Sequence, residues 1–306
     1  MNWFLIALLP PMFWSITNHI DKYLLTKFFK DGAIGAVMIF SASIALLLLP
    51  IIILIQPSVL QNFQIDYLLI ILNGTLYLFA SLPYFYALEK DDASLSVPLF
   101  QMIPVFSFIL GYIFLKESLN TTQIIGGIII IISSIFISLN ISDIKKIKMK
   151  WDVFGLMALS SILYALNFIF FKHFALEIDF WTASFWEYIG FGIFGIFLLL
   201  FVRNYREGFI NVLRKNRLKV LSINGLNEIL NIIAKIAFNF ATTLTPVTMV
   251  WIINGLQPVF VFILGLILTF LIPQISKEDI SRKTLLQRVI AISVITVGVY
   301  LVNRST

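Results

Sequence analysis

The segment NGLNEILNIIAKIAFNF, residues 224–240, sets Asn224, Asn227, Glu228, Asn231, Lys235 and Asn239 at intervals of one, three or four positions. In a helix these side chains fall along one face. An acid, a base and four amides on one stripe are groups that hold a polar or zwitterionic solute by charge and hydrogen bonds. The competing reading is that each finds a partner on a neighbouring helix and serves packing alone. Glu187, in the run FWEYIGFGIFG, is a second acid among apolar residues. It is a candidate counter-ion for Lys235, or a carboxylate that takes up and releases a proton. Two further groups combine amides with proline: Pro98, Gln101 and Pro104, then Trp251, Asn254, Gln257 and Pro258. Proline removes a backbone donor and frees the carbonyl four residues earlier, which predicts kinks at Pro104 and Pro258 with open oxygens at Phe100 and Asn254. Trp14, Asn18, His19 and Asp21, together with Tyr164 and Asn167, add aromatic and polar walls.

Other chemistries are poorly supplied. The chain has no cysteine and two histidines, His19 and His173, so it offers no thiolate nucleophile, no disulfide and a weak basis for a metal centre. Neither a Ser/His arrangement nor paired acids at metal-ligand spacing is present, and no GxxxxGK[ST] phosphate loop occurs. The expectation is a protein without catalytic residues, metal or cofactor.

The elements that carry these residues must cross a membrane. Of 306 residues, 59% are hydrophobic and 12% charged, about half the charged share of a soluble domain. About 20 apolar residues span the hydrocarbon as a helix, and the uncharged runs cut the chain into ten such spans. They lie near 3–22, 33–55, 66–88, 93–115, 121–141, 152–173, 180–202, 218–241, 246–271 and 284–303. A transmembrane barrel would alternate polar and apolar residues, whereas IIGGIIIIISSIFISL is continuously apolar. The first span lacks a preceding charge and a clear cleavage site, so it reads as retained. The fold expected is an all-α integral membrane bundle.

The segment PVFSFILGYI from Pro104 returns as PVFVFILGLI from Pro258, five spans later. Asn73-Gly74 in span three answers Asn224-Gly225 in span eight, and Lys22 answers Lys172. This ordered series predicts two five-helix repeats, 1–143 and 151–306, joined by a basic linker at 144–150. An odd number of spans per repeat inverts the second copy. The net charge of +6 fits that arrangement, because eighteen of the 22 Lys and Arg fall in loops of one side. The other side carries Lys116, Lys172 and Arg304, and Lys235 lies within a span. The positive-inside rule then places both termini outside. It also accounts for the charge without nucleic acid as a partner.

The segment FLKESLNTTQIIGG, with Phe114, Leu115, Glu117, Leu119, Gln123 and Gly126, and with Pro104 in the preceding span, resembles the EamA branch of the drug/metabolite transporter superfamily. The second copy departs from that pattern at QISKEDISRKTLLQR, where Glu278 is the nearest acid, and span two has Phe40 and Ser41 where many members have an arginine. The resemblance implies a carrier of small organic solutes. The function expected is secondary transport of a small polar, amino-acid-like metabolite by alternating access, with a proton as a candidate coupling ion. Rival classes are a membrane-embedded lipid-modifying enzyme and a non-transporting assembly protein. The substrate-binding candidates are Glu228, Lys235, Asn231, Asn227, Asn224, Glu187, Gln101, Asn254, Gln257, Trp14, Asn18 and Tyr164. The expected partners are the solute and membrane lipid, the expected location is the cytoplasmic membrane of a prokaryote, and the chain acts as a monomer or homodimer.

Overall fold

The computed structural model describes residues 2–27, 34–61, 63–90, 99–139, 150–272 and 280–304. Pro98, residues 144–149 of the linker, Glu278 and the side chain of Lys22 fall outside what is described. Among the described residues every regular element is a helix, as continuous apolar runs demand when no water is present to satisfy the backbone.

Span one is α1 (Trp3–Ala7) and α2 (Leu9–Lys27), interrupted at Leu8. Span two is α3 (Ile34–Ala45) and α4 (Leu48–Ile55). Then follow α5 (Asp66–Lys90), α6 (Met102–Leu115), α7 (Thr121–Ser138), α8 (Trp151–Glu177) and α9 (Phe180–Phe201). The last are α10 (Arg203–Leu244), α11 (Val247–Asn254), α12 (Gln257–Leu271) and α13 (Arg282–Arg304).

Eight segments among the described residues are long and apolar enough to cross a bilayer. They match spans two, three and five to ten of the sequence reading. The other two fall short for physical reasons. Span one is broken at Leu8 and ends in polar residues, among them Asn18, His19 and Asp21. The described part of α6 has 14 residues, roughly 21 Å at 1.5 Å per residue, against about 30 Å of hydrocarbon. The segment at 203–217, read from sequence as a charged loop, is instead the first part of α10. Its apolar residues Phe209, Val212 and Leu213 pack on α2 and α3, with Phe40 against Phe209 at 4.7 Å, so packing rather than hydrocarbon burial holds it helical.

Helix α5 packs on α8 and α9, and α6 on α8; α10 packs on α2 and α3, and α12 on α2. Three further contacts join α3 to α9, α6 to α11, and α7 to α13. The α5–α9 crossing is the tightest. A Cβ at Gly74 would lie 2.0 Å from the Glu187 carbonyl oxygen, and one at Gly190 2.1 Å from that of Ile71. Only glycine lets these two backbones approach so closely.

Gly190→Val should therefore lower the Tm of the protein in detergent by several degrees, since overpacking costs about 1–3 kcal/mol and roughly 2–4 °C accompanies each kcal/mol in a chain of this size. Gly155→Ala, where a Cβ meets nothing within 4 Å, should leave the Tm unchanged or raised in the same thermal scan.

Candidate functional site

The apolar faces of α5, α8, α9 and α10 converge on one polar centre. Glu187 of α9 and Lys235 of α10 are 0% and 2% exposed, with Lys235 Nζ 3.2 Å from Glu187 Oε1. The same Oε1 accepts from Asn167 Nδ2 of α8 at 3.0 Å and from Asn73 Nδ2 of α5 at 3.4 Å, while Oε2 accepts from Asn239 Nδ2 at 3.2 Å. Asn73 and Asn167 also clamp their helices reciprocally, each amide donating to the other residue's backbone carbonyl at 3.1 and 2.9 Å. Lys235 Nζ donates to Asn167 Oδ1 at 3.4 Å and lies 4.1 Å from the Tyr77 ring centroid and 4.5 Å from that of Phe168. The ammonium is thus held by a carboxylate, an amide and two aromatic faces. Each supplies negative potential in a medium where an unpaired charge is prohibitive.

Glu228 does not join this centre. Two turns earlier on α10, it is 6% exposed and accepts from Ser41 Oγ of α3 at 2.6 Å. Asn227 beside it donates through Nδ2 to Asp21 Oδ1 of α2 at 2.6 Å. Asn224, 1% exposed, leaves Nδ2 without a partner, and Asn231 is half-buried. The stripe therefore faces inward, while Leu226, Ile229 and Ile233 on the other side of α10 are exposed towards lipid. Glu228 and Lys235 belong to separate clusters, so a single lining in which both touch one solute is not what the structure brings together.

A third group, Trp14, Asn18, Gln101, Tyr164, Asn254 and Gln257, is half-buried. Trp14, Tyr77, Phe100 and Tyr164 border one apolar core formed with Phe168, Phe238 and Trp251. Tyr164 shares a 2.8 Å hydrogen bond with Ser81, and Trp14 stacks on Trp251 at 6.5 Å. Helix breaks sit beside this group. Phe100–Gln101 form a turn ahead of α6, and Gly255–Leu256 separate α11 from α12, each just before the prolines at 104 and 258. The Phe100 oxygen is not open, however, because the turn tightens and it accepts from Ile103 N at 3.0 Å. At the second break, Gly255 O takes the Ser134 hydroxyl, and Asn254 Nδ2 donates to Gln257 Oε1 at 3.3 Å. His19 is buried, with Nε2 3.0 Å from Val261 O of α12.

Sequence reasoning missed the role of Glu117. Lys116 adopts φ 57°, a left-handed turn that closes α6, and Glu117 N returns to Gly111 O at 3.1 Å. The turn aims the Glu117 carboxylate at Lys172 Nζ of α8, 2.5 Å from Oε1, and at Val247 N, the first residue of α11, 2.9 Å from Oε2. Lys172 also donates to Thr245 O at 2.8 Å. The carboxylate thus caps a helix N-terminus, where the backbone dipole favours an anion. Asn120 and Gln123 form a capping box for α7. The signal was present: Lys172 stands outside the basic loops, and a lysine in the wrong place needs an acid.

Comparison with known proteins agrees with this architecture. A solved crystal structure superimposes with a TM-score of 0.66 at 13% identity, covering 98% of this chain and 95% of its own; at that identity the likeness concerns the fold. An uncharacterised protein of Methanocaldococcus jannaschii is 40% identical over 70 residues, 23% of this chain, and the chain spans about half (51%) of that relative's length.

Breaking the central pair should be costly. Lys235→Met or Glu187→Gln alone is expected to destabilise the protein by about 3–5 kcal/mol, the cost of stranding one buried charge. The double variant should recover part of that loss, which a double-mutant cycle of thermal unfolding would measure. Residues 1–139 match the EamA-like transporter family of the drug/metabolite transporter superfamily, a match to somewhat less than half of this membrane protein.

Proposed function

We propose that the protein is a secondary transporter that moves a small polar, amino-acid-like organic metabolite across the membrane by alternating access between two inverted five-helix repeats. The observation that carries this reading is the pair of helix breaks at Phe100–Gln101 and Gly255–Leu256. Each lies just before a copy of the duplicated segment and beside half-buried amides and aromatics. Interrupted helices at matching points of two repeats are where carriers bind their solutes. The arrangement in two related repeats is supported by the packing itself. Exchanging each span with the one five places away converts the α5–α8 contact into α10–α2, α5–α9 into α10–α3, and α6–α8 into α12–α2. The contacts α3–α9, α6–α11 and α7–α13 map onto themselves.

In this reading the Glu187–Lys235 centre is the pivot that the helices turn about, and the solute binds at Gln101, Tyr164, Asn254 and Gln257 beside it. The Trp14–Trp251 stack forms an aromatic wall. Lys90 of α5 and Asp152 of α8, paired at 2.9 Å, mark the basic, cytoplasmic end. Glu117 and Lys172 mark the opposite end, and both termini emerge there.

A thermal-shift screen of the purified protein against a metabolite library should find a ligand, because a solute that binds the native state raises its Tm. With that ligand, counterflow in proteoliposomes should fall at least tenfold in Asn254→Ala and Gln257→Ala, a loss of about 1.4 kcal/mol, at unchanged Tm. Wild-type flux in both variants would remove these residues from the site.

A further inference from the structure

The first part of α10 carries apolar residues on two sides. Phe209, Val212 and Leu213 face inward and pack on α2 and α3. Arg203, Glu207, Ile210, Arg214, Leu218 and Leu221, spaced three or four apart, make a second stripe, and all six are exposed. Side chains at that spacing share one helix face. The part of α10 long and apolar enough to cross the bilayer begins at Leu218. Arg214 lies one turn before it, about 6 Å along the axis, and Lys219 just inside it. The stripe therefore stands where hydrocarbon gives way to headgroups.

The protein does not answer the charges on this stretch. Residues 203–219 hold six Lys or Arg against one acid, Glu207, and Arg203 Nε takes that acid at 2.7 Å. Arg206 donates to the Leu200 carbonyl at 3.1 Å. Among the described residues no ion pair or hydrogen bond reaches the side chain of Arg214 or Lys219, and both are exposed. By contrast, at the ends of α5 and α8 Lys90 pairs with Asp152 and Lys150 donates to the Lys90 carbonyl.

A second feature narrows the partner. Leu218, between the two free cations on the helix surface, is 84% exposed. An unpaired cation calls for an anion, and a bare leucine for something apolar. A polyanion such as nucleic acid meets only the cations, and an acyl tail meets only the leucine. A phospholipid meets both, because its phosphate and its first methylenes are neighbours. We propose that the outward face of α10 around Arg214 and Leu218 is a binding surface for an anionic phospholipid. Arg214 and Lys219 draw the negative headgroup, and Leu218 and Leu221 meet the start of the acyl chains. Basic side chains at the edge of a membrane helix attract anionic lipid, and apolar neighbours sink into the headgroup boundary. Such binding requires that α10 cross the membrane and does not depend on the carrier reading above.

The test uses the full chain in nanodiscs. Because the chain has no cysteine, a single Ser222→Cys, exposed and one turn past Leu218, takes a fluorophore at one place only. The discs hold phosphatidylglycerol and phosphatidylcholine in equal amounts, with the acyl chains of one or the other brominated to quench it. The local ratio read from quenching should favour phosphatidylglycerol by roughly twentyfold, fall about fivefold with either Arg214→Gln or Lys219→Gln, and vanish in the double variant. Lys116→Gln with Arg304→Gln removes the same charge at exposed positions elsewhere and should leave the preference intact. All four side chains are exposed, so neither double variant should change the Tm. Equal quenching by the two lipids in the parent, a preference that survives loss of Arg214 and Lys219, or an equal loss in the Lys116 and Arg304 control would overturn the surface.

Discussion

Hydrocarbon cannot solvate a charge, and that constraint organises the whole bundle. Glu187 and Lys235 are tolerable at the centre because α5, α8, α9 and α10 converge to give them each other, three amides and two aromatic faces. The requirement runs outward from there. Asn73 and Asn167 reach the carboxylate because α5 and α8 lie close enough for each amide to cap the other's backbone. Helix α5 in turn reaches α9 because Gly74 and Gly190 carry no side chains to separate them. Polar satisfaction and close packing are one condition here: a wider crossing would leave the amides short of their acceptor.

The corresponding crossing in the other part of the molecule is built differently. Asn224-Gly225 echoes Asn73-Gly74 in sequence, yet a Cβ at Gly225 would meet nothing within 4 Å, and Asn224 Nδ2 has no partner. Helix α10 is therefore held against α2 and α3 by side chains instead of by backbone contact, apolar ones at Phe209, Val212 and Leu213 and polar ones at Asp21, Ser41, Asn227 and Glu228.

Much of this was legible in the sequence. Apolar runs bounded by charges located eight of the ten expected spans, because length and hydropathy alone decide them. The inward face of α10 followed from the spacing of its amides and charges. What could not be read was pairing across the bundle. The stripe suggested that Glu228 and Lys235 act together, but helices α2 and α3 claim one and α8 and α9 the other, and sequence spacing does not encode which neighbours stand where. The Phe100 oxygen was expected to open below Pro104, yet a tighter turn gave it the Ile103 amide. The helical extension at 203–217 was hidden because its charges read as a loop, while its apolar face needed α2 and α3 to be present before it had anything to pack on.

The two ends of the bundle are closed by pairs of very different character. Lys90 and Asp152 are more than half exposed and sit in water, whereas Glu117 and Lys172 are each about 10% exposed and share their charge with Thr245 O and Val247 N. Separating an exposed pair costs about 0–1 kcal/mol, while stranding a buried one costs about 3–5 kcal/mol. These terms make the Lys90 pair the easier of the two to separate. Separating the buried pair requires the Glu117 carboxylate to exchange its protein donors for water. The same contrast gives the FLKES segment a physical meaning: the left-handed turn at Lys116 aims one carboxylate at the joint between α8 and α11.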